Sequence, residues 1–171
     1  MLSKLIKAYV RFVDRMNEAV GNVIMFLIFA LLGIMIFDVV SRTFFNKPNI
    51  WTVEMSEFTM TTYYMLGGAY TLIRKGHVRM DLFYDRWTGR GKAVADILTF
   101  PLVLLYMVIF LIGSITSLWY AITHHQVTYS SWAPPLTPIK LIMTIGILLM
   151  TMQVIAEFFK DLETMRGRST R

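Results

Sequence analysis

The chain has 171 residues, of which 56% are hydrophobic and only 16% charged, and its mean hydropathy is +0.54. This composition excludes an ordinary soluble domain and favours a membrane protein. Because the sequence has no cysteine, it excludes a disulfide scaffold, a thiolate nucleophile, an iron–sulfur cluster and cysteine-ligated zinc. In so apolar a chain, the net charge of +6 indicates basic segments beside anionic lipid rather than nucleic-acid binding.

The first predicted element is an amphipathic helix over residues 1–18. Apolar side chains such as Leu5 and Val13 recur at helical spacing on one side, and basic side chains such as Lys4 and Arg11 recur on the other. Such a helix either lies in the membrane interface or packs its apolar side on a partner protein. The basic residues and the adjacent apolar span favour the membrane interface.

Four transmembrane helices are predicted from the stretches that carry few charges. They cover about residues 19–41, 53–74, 95–123 and 138–158. The second needs Glu54 and Glu57 at the interface to reach spanning length. Residues 75–92 then form a basic cytoplasmic loop, and residues 159–171 form a tail. The expected fold class is an all-α membrane protein, with residues 1–171 as a single membrane domain.

The distribution of Lys and Arg predicts the orientation in the inner membrane. Of the 17 such residues, only Arg42, Lys47 and Lys140 fall on one side of the predicted spans. The other 14 lie in the N-terminal segment, the second connection and the tail. Because positive charge accumulates in cytoplasmic loops, both termini are expected to be cytoplasmic.

Ionisable side chains near the spans are few, and each allows a structural interpretation. Asp38 and Arg42 are four residues apart, which predicts an ion pair at the end of the first span. Glu54 and Glu57 share one helix face, where they form either a coupling-ion site or acidic groups at the positive end of the helix dipole. A position at the positive end of the dipole, or contact with a neighbouring subunit, is favoured over an ion site. The sequence predicts no catalytic, metal or cofactor-binding residue and no enzymatic activity.

Small residues in the second span permit close helix contact. Gly67, Gly68 and Ala69 are consecutive and precede Tyr70. Small side chains let two helix backbones approach closely in a bilayer, so this segment is expected to contact another helix.

Several short motifs occur in an order that resembles a known family. They are Trp51-Thr-Val-Glu54, Tyr64-Met-Leu-Gly67-Gly-Ala-Tyr70 and Gly76-His77-Val-Arg-Met-Asp81, followed by a loop with Ser130, Ser131, Trp132, Pro134, Pro135 and Pro138. Together with four spans, this set resembles the small, DctQ-like membrane subunit of tripartite ATP-independent periplasmic (TRAP) transporters. The Ser130–Pro138 segment then corresponds to an external loop.

The resemblance implies a transport function carried out with partners. A much larger membrane subunit would hold the substrate and sodium sites and move by an elevator mechanism, and a periplasmic substrate-binding protein would dock outside. This chain would be a scaffold without a cofactor, within a secondary transporter that takes up a small organic acid by sodium symport. Its partners would be those two proteins and membrane lipid.

The residues of the motifs would then be structural or contact a partner. These are Asp38, Arg42, Trp51, Glu54, Gly67, Gly68, Ala69, Tyr70, Gly76, His77 and Asp81. Gly76 is expected to cap the second span in a left-handed conformation, and His77 and Asp81 are one turn apart if the next segment is helical. Structural pairing of His77 with Asp81 is favoured over contact with the large subunit.

Two other functions are compatible with the residues alone. A stand-alone four-helix exporter could couple to protons or sodium through Glu54 or Glu57, although no carboxylate lies at mid-depth. An anchor subunit of an unrelated membrane complex is the other alternative.

Overall fold

The computed structural model describes residues 2–74 and 89–165, which contain five α-helices. These are α1 (Leu2–Ile24), α2 (Leu27–Phe45), α3 (Ile50–Ile73), α4 (Gly89–Thr123) and α5 (Thr137–Met165). In this part of the chain the only pairing of the β type is one isolated bridge, between Val127 and Pro135. The all-α fold class is therefore confirmed for these residues. Gly76, His77 and Asp81 lie outside them.

A local tightening of the backbone separates α1 from α2 within the first predicted span. The N–H of Phe26 donates to the carbonyl of Val23 at 3.2 Å, and that of Phe29 donates to Phe26 at 3.1 Å. These bonds span three residues rather than four, which is the spacing of a 3₁₀ turn. Phe26 itself keeps right-handed helical angles. Helices α1 and α2 therefore form one nearly continuous helical run with an irregular turn at Met25 and Phe26.

A left-handed residue ends α2 and reverses the chain. Asn46 has a φ of 50°, and the N–H of Lys47 donates to the carbonyl of Ser41 at 3.3 Å. The N–H of the left-handed Asn46 donates to the same carbonyl, and Asn tolerates this conformation better than most residues. The short turn places α3 antiparallel to α2, so that Met35 lies near Ser56 in the groove between them.

The last two helices form an antiparallel hairpin. The Phe100 and Phe158 rings stack with centroids 3.8 Å apart, and the hydroxyl oxygens of Ser114 and Thr144 are 2.7 Å apart. Nearer the connecting loop, Lys140 Nζ donates to a backbone carbonyl of α4 at 3.3 Å. These contacts keep one register over the whole length of the hairpin.

Helix α5 is the centre of the bundle and packs against α1, α3 and α4. The buried apolar residues of α5 are Ile139, Ile147, Leu149, Val154 and Ala156. Helix α3 runs parallel to α5, because Met65 contacts Gly146 and Gly68 contacts Met150. Helices α1 and α4 run in the opposite direction. As a result, α1 and α4 begin at the same end of the bundle at which α3 and α5 finish.

Three segments of the described chain are long and apolar enough to cross a bilayer. They are Lys4–Phe45, Thr99–Thr123 and Thr137–Lys160. Every residue of α2 remains at least partly exposed, and its outer side chains are mainly apolar. Exposed apolar helix surface is stable in lipid and costly in water. The protein is therefore a multi-pass membrane protein, and the count of four spans stays a prediction.

The packing of α1 divides the apolar stripe that was expected to face the membrane interface. Val13 is fully buried, whereas Leu5 is 69% exposed. Part of the stripe therefore packs on α3 and α5 of the same chain. An interfacial position for residues 1–18 stays a prediction.

Candidate functional site

A polar network joins α1 to the final turns of α5. It consists of Asp14, Asn17, Gln153, Glu157 and Lys160. Asn17 Nδ2 donates to Gln153 Oε1 at 2.8 Å, and Gln153 Nε2 donates to Asp14 Oδ1 at 2.9 Å and to Glu157 Oε1 at 3.2 Å. Lys160 Nζ lies 2.8 Å from a carboxylate oxygen of both Asp14 and Glu157. Each of these contacts pairs a donor with an acceptor, and the buried Asn17 Oδ1 has no hydrogen-bond partner among the described residues.

Burial makes this network energetically important. Asn17 and Gln153 are at most 1% exposed, so neither amide can exchange its protein partners for water. A buried polar group that loses its partner costs about 1–3 kcal/mol. The network therefore holds α1 in one rotational setting against α5.

Sequence reasoning missed this network, although its spacing carried a signal. Asp14 and Asn17 are three residues apart, and Gln153, Glu157 and Lys160 follow at intervals of four and three. Each set lies on one helix face. In the sequence, Gln153 is an isolated polar residue in an apolar segment. Its partners become visible only when α1 is packed against α5.

The ion pair expected at the end of α2 is present and belongs to the connection with α3. Arg42 Nε lies 2.8 Å from Asp38 Oδ2, and Thr52 Oγ1 donates to Asp38 Oδ1 at 2.6 Å. The Phe37 and Trp51 rings are in tilted contact, with centroids 5.7 Å apart. The arrangement secures the α2–α3 corner.

The two glutamates of α3 occupy different environments. Glu54 is only 5% exposed, and neither of its carboxylate oxygens has a hydrogen-bond partner among the described residues. Glu57 is exposed and lines the groove between α2 and α3. Among the side chains that the structure describes, no group of three acidic, His or Cys residues lies close enough to hold a metal ion.

The structure assigns different positions to the three small residues of α3. A Cβ on Gly68 would lie 3.1 Å from Met150 Sδ, and Ala69 is buried. A Cβ on Gly67 would meet nothing within 4 Å. Gly67 instead lines an open groove of about 490 Å³, together with Tyr64 and Tyr70. Gly68 and Ala69 therefore serve packing within the chain, and Gly67 remains accessible to a partner.

Two further glycines make close contacts that sequence reasoning missed. A Cβ on Gly21 would collide with the Tyr70 side chain, and a Cβ on Gly146 would lie 2.7 Å from the backbone oxygen of Met65. Each is a lone glycine in an apolar helix, so only the packing distinguishes it from Gly113, which has open space around it.

The loop between α4 and α5 has a well-defined backbone. The N–H of Thr128 donates to the carbonyl of Pro134 at 3.1 Å, and that of Leu136 donates to Gln126 at 2.9 Å. Pro134 is buried, while Trp132 is 42% exposed. Of the other residues singled out from the sequence, Ser131, Pro135 and Pro138 are exposed, and Ser130 Oγ accepts the N–H of Ala133.

Comparison with known families assigns the chain to one of them. Residues 31–164, more than three quarters of the chain, match the family described as tripartite ATP-independent periplasmic transporters, DctQ component. The chain belongs to this family. The resemblance recognised from the short motifs is therefore confirmed, and the role of the family is transport rather than catalysis.

A curated relative supports the same assignment. The DctQ-family chain is 26% identical, over 101 residues, to the sialic acid TRAP transporter permease protein SiaT of Haemophilus influenzae (strain 86-028NP). The aligned segment is 59% of this chain and 16% of SiaT. The chain therefore spans less than two thirds of that relative.

The family match begins within α2, at residue 31, and ends at residue 164 near the end of α5, so α1 precedes it. Asp14 and Asn17 lie before the matched residues, whereas their partners on α5 lie within them. The polar network therefore attaches the N-terminal helix of this DctQ component to the part of the bundle that the family defines.

Proposed function

We propose that this chain is the small scaffold subunit of a secondary, sodium-coupled TRAP transporter for a small organic acid. In this proposal a large elevator-type subunit carries the substrate and sodium, and a periplasmic binding protein delivers the substrate. The observation that carries the proposal is the family match over residues 31–164. The name of the relative SiaT contains sialic acid, which is an organic acid and supports that substrate class.

The polar groups of the helices support a scaffold rather than a carrier. A polar solute that crosses a bilayer needs fixed dipoles or charges near mid-depth to replace its hydration. Several threonine hydroxyls in this bundle donate instead to carbonyls one turn back in their own helix. These residues are Thr59, Thr62, Thr71, Thr144 and Thr151. The hydroxyl donors of these residues are therefore used inside the chain rather than offered to a solute.

The proposed topology has four spans, with both termini in the cytoplasm. The segments α1–α2, α3, α4 and α5 alternate in direction. Helix α3 has 24 residues and is about 36 Å long, enough to cross the hydrocarbon core. The 14 basic residues outside the two external connections support the cytoplasmic assignment of the termini. The α2–α3 and α4–α5 connections would then face the periplasm of a bacterial inner membrane.

Two exposed surfaces are available for the proposed partners. The outer face of α2 and the groove at Gly67 would contact the large subunit within the bilayer. The α4–α5 loop presents Tyr129, which is fully exposed, and Trp132 toward the side of the binding protein. Exposed aromatic side chains on an ordered backbone are frequent anchors of protein contacts.

Reconstitution into proteoliposomes tests the function. One preparation contains this chain alone, a second adds the large TRAP subunit, and a third adds the binding protein as well, with labelled sialic acid and labelled succinate as probes. We expect no uptake by the chain alone and sodium-driven uptake only in the complete set. Uptake by the chain alone would contradict the scaffold proposal and favour an exporter coupled through Glu54 or Glu57.

A substitution at Gly67 tests the proposed membrane contact. Gly67→Leu should reduce the amount of large subunit that co-purifies with this chain by about tenfold, because a bulky side chain prevents close helix approach. The matched control is Gly113→Leu on α4, which also enters open space. In the absence of the large subunit, both variants should have the same melting temperature as the unmodified chain. Equal recovery of the large subunit with both variants would show that the Gly67 groove is not the contact.

A further inference from the structure

A groove of about 460 Å³ lies between α1 and the last turns of α5. Its size falls within the range of about 300–1,000 Å³ that small-molecule clefts occupy. Ile6, Val10 and Phe159 form its apolar lining. Asp14 and cationic side chains of both helices form the remainder, so the groove combines an apolar wall with charged groups.

The positive side chains are arranged on both sides of the groove. Lys7 and Arg11 are one turn apart on α1, and Lys160 faces them from α5. Asp14 is the acidic residue among those that line the groove, and it is paired with Lys160 at 2.8 Å. Lys160 also lies 2.8 Å from Glu157, so the positive charge that favours an anion in this groove is that of Lys7 and Arg11.

The position of the groove brings it to the boundary between hydrocarbon and water. The uncharged run of α5 ends at Ala156, one turn before Lys160, and Lys160 lines the groove. Arg11 is exposed, and its Nε donates to the carbonyl of Lys7 at 3.3 Å, which holds the guanidinium along the helix. A guanidinium has five N–H donors and matches the geometry of a phosphate.

We propose that this groove binds an anionic phospholipid, with the headgroup phosphate at Lys7 and Arg11 and the start of an acyl chain along Val10 and Phe159. A phospholipid joins the two chemistries that the groove presents side by side, an anionic phosphate and an apolar chain. Basic pockets between helices at a membrane surface are known to select such headgroups. Lys7, Val10 and Arg11 lie before the residues that match the family, and Phe159 lies within them. The proposed lipid site does not depend on the proposed transport function.

Native mass spectrometry of the purified chain tests this proposal. The probes are phosphatidylglycerol, phosphatidylcholine with the same acyl chains, and inorganic phosphate. We expect phosphatidylglycerol to be retained at least tenfold more than phosphatidylcholine, since each Lys or Arg near anionic lipid strengthens binding about fivefold. Inorganic phosphate should not compete at equal concentration, because it lacks the acyl chain. Equal retention of the two lipids, or full competition by phosphate, would overturn the proposal.

A charge-matched pair of variants locates the lipid. Lys7→Gln with Arg11→Gln should reduce retention of phosphatidylglycerol about tenfold. Lys4→Gln with Arg15→Gln removes the same charge from exposed positions of α1 outside the groove lining and should change retention less than twofold. Equal losses in both pairs would assign the effect to general surface charge and overturn the site. If the first pair does not fold, a rise in the melting temperature of the unmodified chain with phosphatidylglycerol but not phosphatidylcholine supports the proposal, and equal rises overturn it.

Discussion

Gly146→Ala should lower the free energy of unfolding of the isolated subunit by about 1–3 kcal/mol, the usual cost of overpacking a well-packed core. The added Cβ would lie 2.7 Å from the backbone oxygen of Met65 and 2.8 Å from its carbonyl carbon. A flexible side chain could rotate away from such a contact. A backbone carbonyl inside α3 cannot move without displacing the helix, so α3 and α5 must separate.

The control for this substitution is Gly113→Ala on α4, where a Cβ meets nothing within 4 Å. Because Ala is the better helix former by about 1 kcal/mol, this variant should be as stable as the unmodified chain or slightly more stable. Unfolding by SDS in mixed micelles, followed by circular dichroism, measures both. Stabilisation by Gly146→Ala would show that α3 and α5 are farther apart than the structure places them.

Gln153→Leu should destabilise the chain by about 1–3 kcal/mol, because it leaves the buried Asn17 amide without its acceptor. The substitution also removes the donor to Asp14 and Glu157. Both carboxylates still have Lys160 at 2.8 Å as a partner. The loss of stability therefore arises mainly from the unpaired Asn17 amide.

A double-mutant cycle separates the pair from the rest of the network. In the variant with both Asn17→Leu and Gln153→Leu, both polar partners are absent, and part of the stability should return. We expect a coupling energy between about 0.6 and 1.7 kcal/mol, the average and the maximum measured for hydrogen bonds between membrane helices. The same unfolding measurement applies to all four proteins. Strictly additive losses would contradict a direct Asn17–Gln153 hydrogen bond.

Local patterns in the sequence were sufficient for several parts of this protein. The low proportion of charge predicted a membrane protein made of helices, and the ordered motifs from Trp51 to Pro138 identified the family. The spacing of Asp38 and Arg42 also indicated their ion pair, now observed at 2.8 Å. Hydropathy and contacts within one helix depend on residues that are close in sequence, which is why these inferences needed no tertiary structure.

The tertiary structure decided which side chains meet across helices. Gly67 and Gly68 are adjacent and chemically identical, yet Gly68 packs against Met150 and Gly67 faces an open groove. A difference of one position rotates a side chain by about 100° around the helix axis, and only the placement of α5 determines which direction is inside.

The polar network has the same physical origin, since Asn17 and Gln153 are 136 residues apart. In sequence each is an isolated amide, and its burial becomes favourable only when the other supplies its partner. The sequence by itself thus determined the membrane class, the helical fold and the family of this protein. The setting of α1 against α5, and with it the buried network and the basic groove, depended on contacts that only the folded chain creates.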